Sequence, residues 1–236
     1  MKQIPLAIGL DTERTFETFF TGDGGEGAQL FTGANEAAFQ HLQALAQRVE
    51  PGPPVYLWGA AGSGKTHLLQ ATSHRWQQQG GHVAWFDPDT ALPWDGAQAR
   101  TLIVLDDCGR YDAERQHAAF ALFVEAGASG ARIAAAGRVP PVDLPLRDDL
   151  RTRLGWGHVF AVEPLSEPQM RAALRQEADR RGLLLTDELM DYLLNHFDRD
   201  LKHLTGRLDA LDSYALVHKR ALSVPLLRQM LAEAND

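Results

Sequence analysis

The stretch VYLWGAAGSGKT, residues 55–66, decides the fold. Four apolar residues typical of a buried strand lead into a glycine-rich turn, and a helical pattern begins where the turn ends on Lys65 and Thr66. The turn matches the pattern G-x-x-x-x-G-K-[ST] at every fixed position. Glycine backbone angles let successive N–H groups face one anion, and the start of the helix adds its positive dipole end. The sequence therefore predicts a phosphate-binding loop between a strand and a helix.

The residues of this loop also indicate how it would hold a nucleotide. Lys65 is expected to reach the terminal phosphates, and the Thr66 hydroxyl to ligate Mg²⁺. A glycine-rich turn without function is the alternative, but it does not explain a Lys-Thr pair at this position. The predicted nucleotide-binding residues of the loop are Gly59, Gly62, Ser63, Gly64, Lys65, Thr66 and His67.

A second motif, TLIVLDD at residues 101–107, is an apolar strand that ends in two carboxylates. In a parallel α/β sheet such acids emerge at the carboxyl edge, next to the phosphate loop. We interpret Asp106 as a ligand of Mg²⁺, directly or through water, and Asp107 as the residue that orients or polarises an attacking water. Without the phosphate loop, the same acids would more simply indicate a solvated turn.

Short apolar segments alternate with polar or helical sequence over the first two thirds of the chain. The predicted strands are 55–58, 82–86, 101–105, 132–136 and 159–162. This alternation predicts an α/β fold with a parallel sheet flanked by crossover helices. Beyond Pro164 no strand pattern remains, and apolar residues recur on one helical face, as expected of core positions in a small all-α domain. These residues are Leu201, Leu204, Leu208, Leu211 and Ala215.

Composition restricts the class of protein. The net charge of −8 argues against direct DNA binding, which depends on clustered Lys and Arg. No apolar run approaches the ~18 residues of a membrane span, and the N-terminus has no secretory pattern, so we expect a cytoplasmic protein. The single cysteine, Cys108, follows an apolar strand and is expected to be a buried, inert thiol. The histidine spacings do not suggest a zinc site.

Several segments resemble the DnaA/Hda family of AAA+ P-loop proteins. The resemblance begins with TFETF at 15–19 and continues through GKTHLLQA at 64–71 and LDD at 105–107. LRTRLGWG, residues 150–157, resembles the family segment with the arginine finger, which places that role on Arg153. FDRDL, residues 197–201, resembles the start of the lid helix with the second sensor arginine, which places that role, and a nucleotide contact, on Arg199.

The resemblance implies a domain organisation and a function. It implies an N-terminal peptide and linker at 1–14, an AAA+ nucleotide-binding core at 15–164 and a helical lid at 165–236, with ADP or ATP and Mg²⁺ as ligands. We expect no helix-turn-helix DNA-binding domain, so the chain resembles the Hda branch of the family. That branch inactivates the DnaA initiator by stimulating hydrolysis of DnaA-bound ATP while docked on the sliding clamp of DNA polymerase. The resemblance thus implies an ADP-bound active state and DnaA and the clamp as partners; monomer and homodimer stay open.

Two further segments affect the predicted partner and activity. The family docks on the clamp through a short N-terminal peptide, for which QIPLAI at residues 3–8 is the candidate. The amide of Gln3 can make directed hydrogen bonds, and Leu6 and Ile8 can enter an apolar pocket, although an ordinary first strand explains the peptide as well. The family also places a polar first-sensor residue near Ala136, where alanine cannot contact a γ-phosphate. We therefore expect weak or no ATPase activity of the chain's own.

Three other functions are compatible with a phosphate loop. The main alternative is an autonomous AAA+ ATPase such as a helicase loader, which would turn over ATP without a partner. A small-molecule phosphotransferase is disfavoured because the paired acids suit water activation and no basic cluster suits a phosphorylated acceptor. The last alternative is a binding module in which the nucleotide is only structural.

Overall fold

The structure, a computed structural model, describes most of the chain. The described residues are 14–19, 34–47, 52–96, 98–197 and 200–233. They form two compact units, which divide after Pro164. The predictions for Gln3, Leu6, Ile8 and Arg199 lie outside the described residues. None of the helices in the described part of the chain has the length and apolar character needed to span a bilayer.

The first unit is built on a five-stranded sheet of described residues. Its strands are β1 (Val55–Trp58), β2 (His82–Phe86), β3 (Thr101–Leu105), β4 (Arg132–Gly137) and β5 (His158–Ala161). All neighbouring strands are parallel, in the order β2-β3-β4-β1-β5. This order places β4 between the two strands that carry the sequence motifs. The predicted α/β fold with a parallel sheet is confirmed.

Helices cover this sheet. They are α1 (Ala34–Gln47), α2 (Lys65–Gln78), α3 (Ala113–Ser129) and α4 (Asp148–Gly155), with short 3-10 helices at Cys108–Arg110 and Pro141–Asp143. The residues at both ends of α3 explain where it begins and ends. Asp112 caps its start by accepting a hydrogen bond from the backbone N–H of Arg115, and Gly130 ends it with a φ of 77°.

The core of the first unit lies on both faces of the sheet. Successive strand residues point to opposite faces, so Tyr56 packs into one cluster and Leu57 into the other. The Tyr56 cluster includes α3 and also Leu150 and Leu154 of α4, whereas the Leu57 cluster includes residues of α1 and α2. Helices α4 and α2 therefore pack on opposite faces. All five residues of β3 are buried, as expected of a strand covered on both sides.

The second unit is helical throughout its described residues. Its helices are α5 (Glu167–Arg180), α6 (Asp187–His196), α7 (Leu201–His218) and α8 (Val224–Glu233). A capping box of Ser166 and Gln169 starts α5, and the Thr186 hydroxyl caps α6. Leu204, Leu208, Leu211 and Ala215 are buried in one cluster, with Leu201 packed partly buried against it. The predicted apolar face of this helix, with its residues in a core, is confirmed.

Candidate nucleotide-binding site

The phosphate loop lies between β1 and α2, as predicted, and its glycines are required by its shape. Gly59, Gly62 and Gly64 have φ values of 156°, 75° and 101°, a region that L side chains rarely adopt. Space is restricted as well. A Cβ on Gly59 would lie 2.1 Å from the carbonyl oxygen of Val162, and a Cβ on Gly64 would lie 2.9 Å from the Phe19 ring. The loop therefore depends on glycine at these positions for both conformation and room.

Lys65, the first residue of α2, folds its side chain back over the loop. Its Nζ donates hydrogen bonds to the carbonyl oxygens of Gly59 and Ala60, each at 2.7 Å, and to the Ser63 hydroxyl at 3.2 Å. Burial lowers the pKa of Lys65, the charges of Asp106 and Asp107 oppose that shift, and the charge of Arg138 has a smaller effect in the same direction as burial. The loop thus gathers a partly desolvated ammonium group over its backbone, an arrangement suited to an anionic partner.

Thr66 and Asp106 meet across the edge of the sheet. The Thr66 hydroxyl donates a hydrogen bond of 2.8 Å to one carboxylate oxygen of Asp106, and the backbone N–H of Asp107 donates to the other at 2.9 Å. Burial raises the pKa of Asp106, while these hydrogen bonds and the charge of Lys65 oppose that shift. The structure therefore brings together the two residues predicted to ligate a metal.

This pair fits magnesium in particular. Hydroxyl and carboxylate oxygens are the hard ligands that Mg²⁺ prefers. Among the described residues there is no group of three or more His, Cys, Asp or Glu side chains that could hold a metal ion. Mg²⁺ in phosphate sites takes one or two protein ligands and completes its shell with phosphate oxygens and water, so two oxygen donors are sufficient.

Asp107 follows Asp106 in a left-handed conformation, with a φ of 48°. Its carboxylate faces two guanidinium groups. Nη1 of Arg110 lies 3.5 Å from one carboxylate oxygen, and Nε of Arg138 lies 3.7 Å from the other. The role of Asp107 in polarising water stays a prediction. The contacts with the two arginines could not be predicted from the local sequence.

At the carboxyl end of β4, Arg138 extends beyond the strand, whereas Ala136 faces the core. Ala136 pairs with Leu57 of β1 and is fully buried in the same cluster. Arg138 follows the last residue of β4 and extends into solvent at the carboxyl edge of the sheet. The expectation of weak or no ATPase activity, drawn from Ala136, stays a prediction. The rule that carboxyl ends of parallel strands meet at one edge, applied to β4, would have identified Arg138.

His67 attaches the segment before the core to the start of α2. Its Nε2 lies 3.0 Å from the Thr15 carbonyl oxygen and 3.3 Å from the Thr18 hydroxyl, and its ring packs edge-on against Phe19. The same Phe19 ring closes over Gly64. The His67 side chain thus supports the loop from outside, while its predicted contact with nucleotide stays a prediction.

Arg153 lies apart from these residues, in the last turn of α4. The side chain is exposed, whereas Leu150 and Leu154 on the same helix are buried against the sheet. Because α4 and α2 pack on opposite faces of the sheet, Arg153 and the helix that follows the phosphate loop belong to different faces. Two buried leucines thus anchor α4 on the sheet, and the side chain of Arg153 is exposed to solvent.

Family models match both units of the chain. The model of the bacterial DnaA ATPase domain matches residues 10–84, which include the phosphate loop. The model of the Hda lid domain matches residues 167–231, which span α5 to α8 except for the end of α8.

Solved structures share this fold. Domain III of the Thermotoga maritima replication initiation protein DnaA has a TM-score of 0.74 and 20% sequence identity, over 95% of this chain and 98% of that one. AMPPCP-bound DnaA from Aquifex aeolicus has a TM-score of 0.66 and 23% identity, over 86% of this chain and 66% of that one. The Thermotoga maritima RuvB Holliday junction branch migration motor has a TM-score of 0.62 and 12% identity, over 84% and 67%. These similarities show the AAA+ fold, with a C-terminal helical lid.

Proposed function

We propose that this chain, which is an AAA+ protein of the Hda/DnaA type, binds an adenine nucleotide and regulates the replication initiator DnaA. The observation that carries the proposal is the combination of two features in one chain. The first unit holds a complete phosphate loop with the Thr66–Asp106 pair beside it. The second unit matches the lid domain of Hda, not merely a helical lid in general.

The nucleotide is proposed to be ADP or ATP. A cradle of backbone N–H groups shaped by three positive-φ glycines favours a phosphate chain, and the ammonium of Lys65 would exchange loop carbonyls for phosphate oxygens. DnaA from Aquifex aeolicus binds AMPPCP in the same fold. Thr66 and Asp106 would hold Mg²⁺, which neutralises phosphate charge when bound. We expect the ADP-bound form to be the regulatory one.

The chemistry is proposed to occur on ATP bound to DnaA, with Arg153 as an arginine finger. A guanidinium directed at a neighbour's triphosphate stabilises the negative charge of phosphoryl transfer, and such fingers supplied in trans contribute about 10³ to 10⁵ in rate. Burial of Leu150 and Leu154 fixes the helix that carries the finger. A fixed helix lowers the entropic cost of positioning the guanidinium. The effect would be negative regulation of replication initiation.

Docking on the DNA-loaded sliding clamp through Gln3, Leu6 and Ile8 is proposed from sequence alone, as is the sensor role of Arg199. A net charge of −8 is consistent with a protein that reaches DNA through a protein partner and binds DNA little itself. Whether the chain acts as monomer or homodimer does not alter these assignments.

An autonomous ATPase such as a helicase loader is the second candidate. The specific observation in its favour is Asp107, an acid that follows Asp106, the proposed Mg²⁺ ligand, at the edge of the sheet. The two functions differ in whether ATP hydrolysis requires a partner. The regulator hydrolyses little ATP alone and accelerates hydrolysis on DnaA when loaded clamp is present, whereas the loader turns over ATP by itself.

The test is the loss of ATP-bound DnaA upon addition of this protein with DNA-loaded clamp. Arg153→Ala should abolish the stimulation but keep nucleotide affinity and thermal stability close to wild type. Arg151→Ala is the matched control, because Arg151 lies on the same helix and pairs with Asp148. Full stimulation by Arg153→Ala, or equal losses in both variants, would overturn the finger assignment. Rapid turnover by the isolated wild-type protein would favour the ATPase.

A further inference from the structure

The exposed apolar side chains of the first unit are concentrated in one stretch of the chain. Among its described residues, every large apolar side chain that is exposed, apart from Val124 on α3, follows the end of β4 and precedes the middle of β5. These residues are Val139, Val142, Trp156 and Val159. Isolated exposed apolar residues are ordinary, whereas a contiguous patch of them marks an interaction surface.

Trp156 lies on the same side of α4 as Arg153. The two residues are three positions apart, and Trp156 continues the helix with α-helical backbone angles, so their side chains are neighbours on the helix surface. Tryptophan is highly buried on average, yet Trp156 is 71% exposed. The buried residues of the helix, Leu150 and Leu154, face the sheet. An exposed indole therefore stands beside the proposed arginine finger.

Two valines border this indole. Gly155 lies so close to Pro141 that an added Cβ would be 3.3 Å from the Pro141 side chain. Trp156 and Val142 are the next residues on the two sides of this contact, and both are exposed. Val159 points to the face of the sheet that carries α4, because its paired residue in β1 packs in the same cluster as the buried leucines of α4. Val142, Trp156 and Val159 are named the α4 apolar surface.

The charge beside the α4 apolar surface indicates what covers it. Arg151 on the same helix is ion-paired with Asp148, whereas Arg153 has no ion-pair partner among the described residues. An exposed guanidinium without an anion, next to an apolar surface, fits a partner that supplies both an apolar pocket and negative charge. A neighbour that carries a nucleoside triphosphate meets this requirement. A second copy of this chain is less suitable, because the net charge of −8 on each copy opposes self-association.

We propose that the α4 apolar surface is the anchor by which this chain holds ATP-bound DnaA, with the Trp156 indole inserted in an apolar pocket of that partner. The proposal rests on the function proposed above and divides the work between two neighbouring residues, because Trp156 provides affinity and Arg153 provides rate. Tryptophan and arginine are enriched among the few interface residues that carry most of the binding energy. The indole contact is the same before and during hydrolysis. It therefore sets the concentration needed for stimulation and leaves the maximal rate unchanged.

Hydrolysis of DnaA-bound ATP with loaded clamp, measured over a range of concentrations of the full chain, tests the proposal. Trp156→Ala should raise the concentration for half-maximal stimulation by about 30-fold or more, the effect of truncating a strongly contributing tryptophan. Its maximal rate and its Tm should stay close to wild type, because the side chain is exposed. Val142→Ala should act in the same direction by a smaller factor, and it keeps the test valid if Trp156→Ala folds poorly. Leu184→Ala is the matched control, since Leu184 is 80% exposed but belongs to the helical unit.

Direct binding of ATP-bound DnaA to the immobilised chain separates the two roles. Arg153→Ala should retain most of the binding and lose the stimulation, whereas Trp156→Ala should lose binding and recover full stimulation at saturating concentration. A half-maximal concentration for Trp156→Ala equal to that of wild type, or a loss confined to its maximal rate, would refute the anchor.

Sedimentation of the chain alone examines the rival occupant. A wild-type dimer that Trp156→Ala dissociates would assign the α4 apolar surface to a second copy and overturn the proposal. If the wild-type chain neither bound nor stimulated DnaA, the proposed function itself would fail. An active wild type beside an unaffected Trp156→Ala variant would overturn the anchor alone, so the two failures are distinguishable.

Discussion

Replacement of Gly64 by alanine should damage both the stability and the nucleotide site of the first unit. Gly64 has a φ of 101° and immediately precedes α2. Forcing an L residue into positive φ costs about 1–2 kcal/mol. The added Cβ would also lie 2.9 Å from the Phe19 ring, closer than real Cβ contacts allow, so the ring must move.

Displacing Phe19 adds to this cost because the ring is packed on two others. It stacks on Phe39 at a centroid distance of 5.8 Å and meets His67 edge-on at 5.3 Å. Aromatic pairs contribute about 0.5–1.5 kcal/mol each beyond their buried area, so losing one pair brings the total for Gly64→Ala to roughly 1.5–3.5 kcal/mol. In a protein of this size each kcal/mol lowers Tm by roughly 2–4 °C, which gives an expected decrease of roughly 3–14 °C.

Gly127→Ala is the matched control. Gly127 lies exposed within α3, and an added Cβ would have no heavy atom within 4 Å. Alanine is better than glycine in a helix by about 0.5–1 kcal/mol, so this variant should melt slightly above wild type. Differential scanning calorimetry gives both shifts, and titration with Mg²⁺-ADP should show lost binding only for Gly64→Ala. Wild-type melting or wild-type ADP affinity of Gly64→Ala would refute the reasoning.

Two further predictions concern the acid of the site and the second unit. Burial raises the pKa of Asp106 in the folded protein above its ordinary value of 3.8. Ionisation of Asp106 therefore lowers the free energy of unfolding as pH rises from 3.8 through the raised pKa, and this loss is absent below pH 3.8. Asp106→Asn should therefore have a higher Tm than wild type at pH 7, and this difference should disappear toward pH 4. Its nucleotide binding should no longer depend on Mg²⁺. A Tm difference between variant and wild type that is the same at both pH values would contradict the argument. Leu208→Ala should destabilise the helical unit by about 2–5 kcal/mol in urea unfolding, because Leu208 is buried in its core. Exposed Leu216 on the same helix provides the control, and equal effects of the two alanine variants would contradict the assignment.

Local sequence was sufficient to predict the positions of the loop and the acids. The phosphate loop is a continuous segment whose residue types are imposed by positive φ and close packing at Gly59 and Gly64. The acids follow an apolar strand directly, and a parallel sheet brings its strand ends to one edge. The Thr66–Asp106 contact follows from these two facts, although the residues are 40 positions apart in sequence.

Strand order and the direction of side chains were harder to predict from local sequence. Which strand lies between β1 and β3 depends on long-range pairing, and this pairing is what brings Arg138 beside the loop. The family resemblance indicates Ala136 instead, whose side chain points into the core. The nucleotide contact of His67 stays a prediction. Its contacts to Thr15 and Thr18 could not be predicted, because they involve a segment about 50 residues away in the sequence.

In the first unit, the residues proposed to bind the chain's own nucleotide are separate from the arginine proposed to act on a neighbour's nucleotide. Lys65, Thr66 and Asp106 lie at one edge of the sheet, and Arg138 lies there with them. Arg153 is carried by a helix on the face opposite to α2. An arginine needed for the chain's own nucleotide would be expected at the shared edge, where Arg138 already stands. A finger carried by α4, which the buried Leu150 and Leu154 anchor on the other face, is better suited to a neighbour's triphosphate. Arg153→Ala should therefore keep the chain's own nucleotide affinity and lose the stimulation of DnaA.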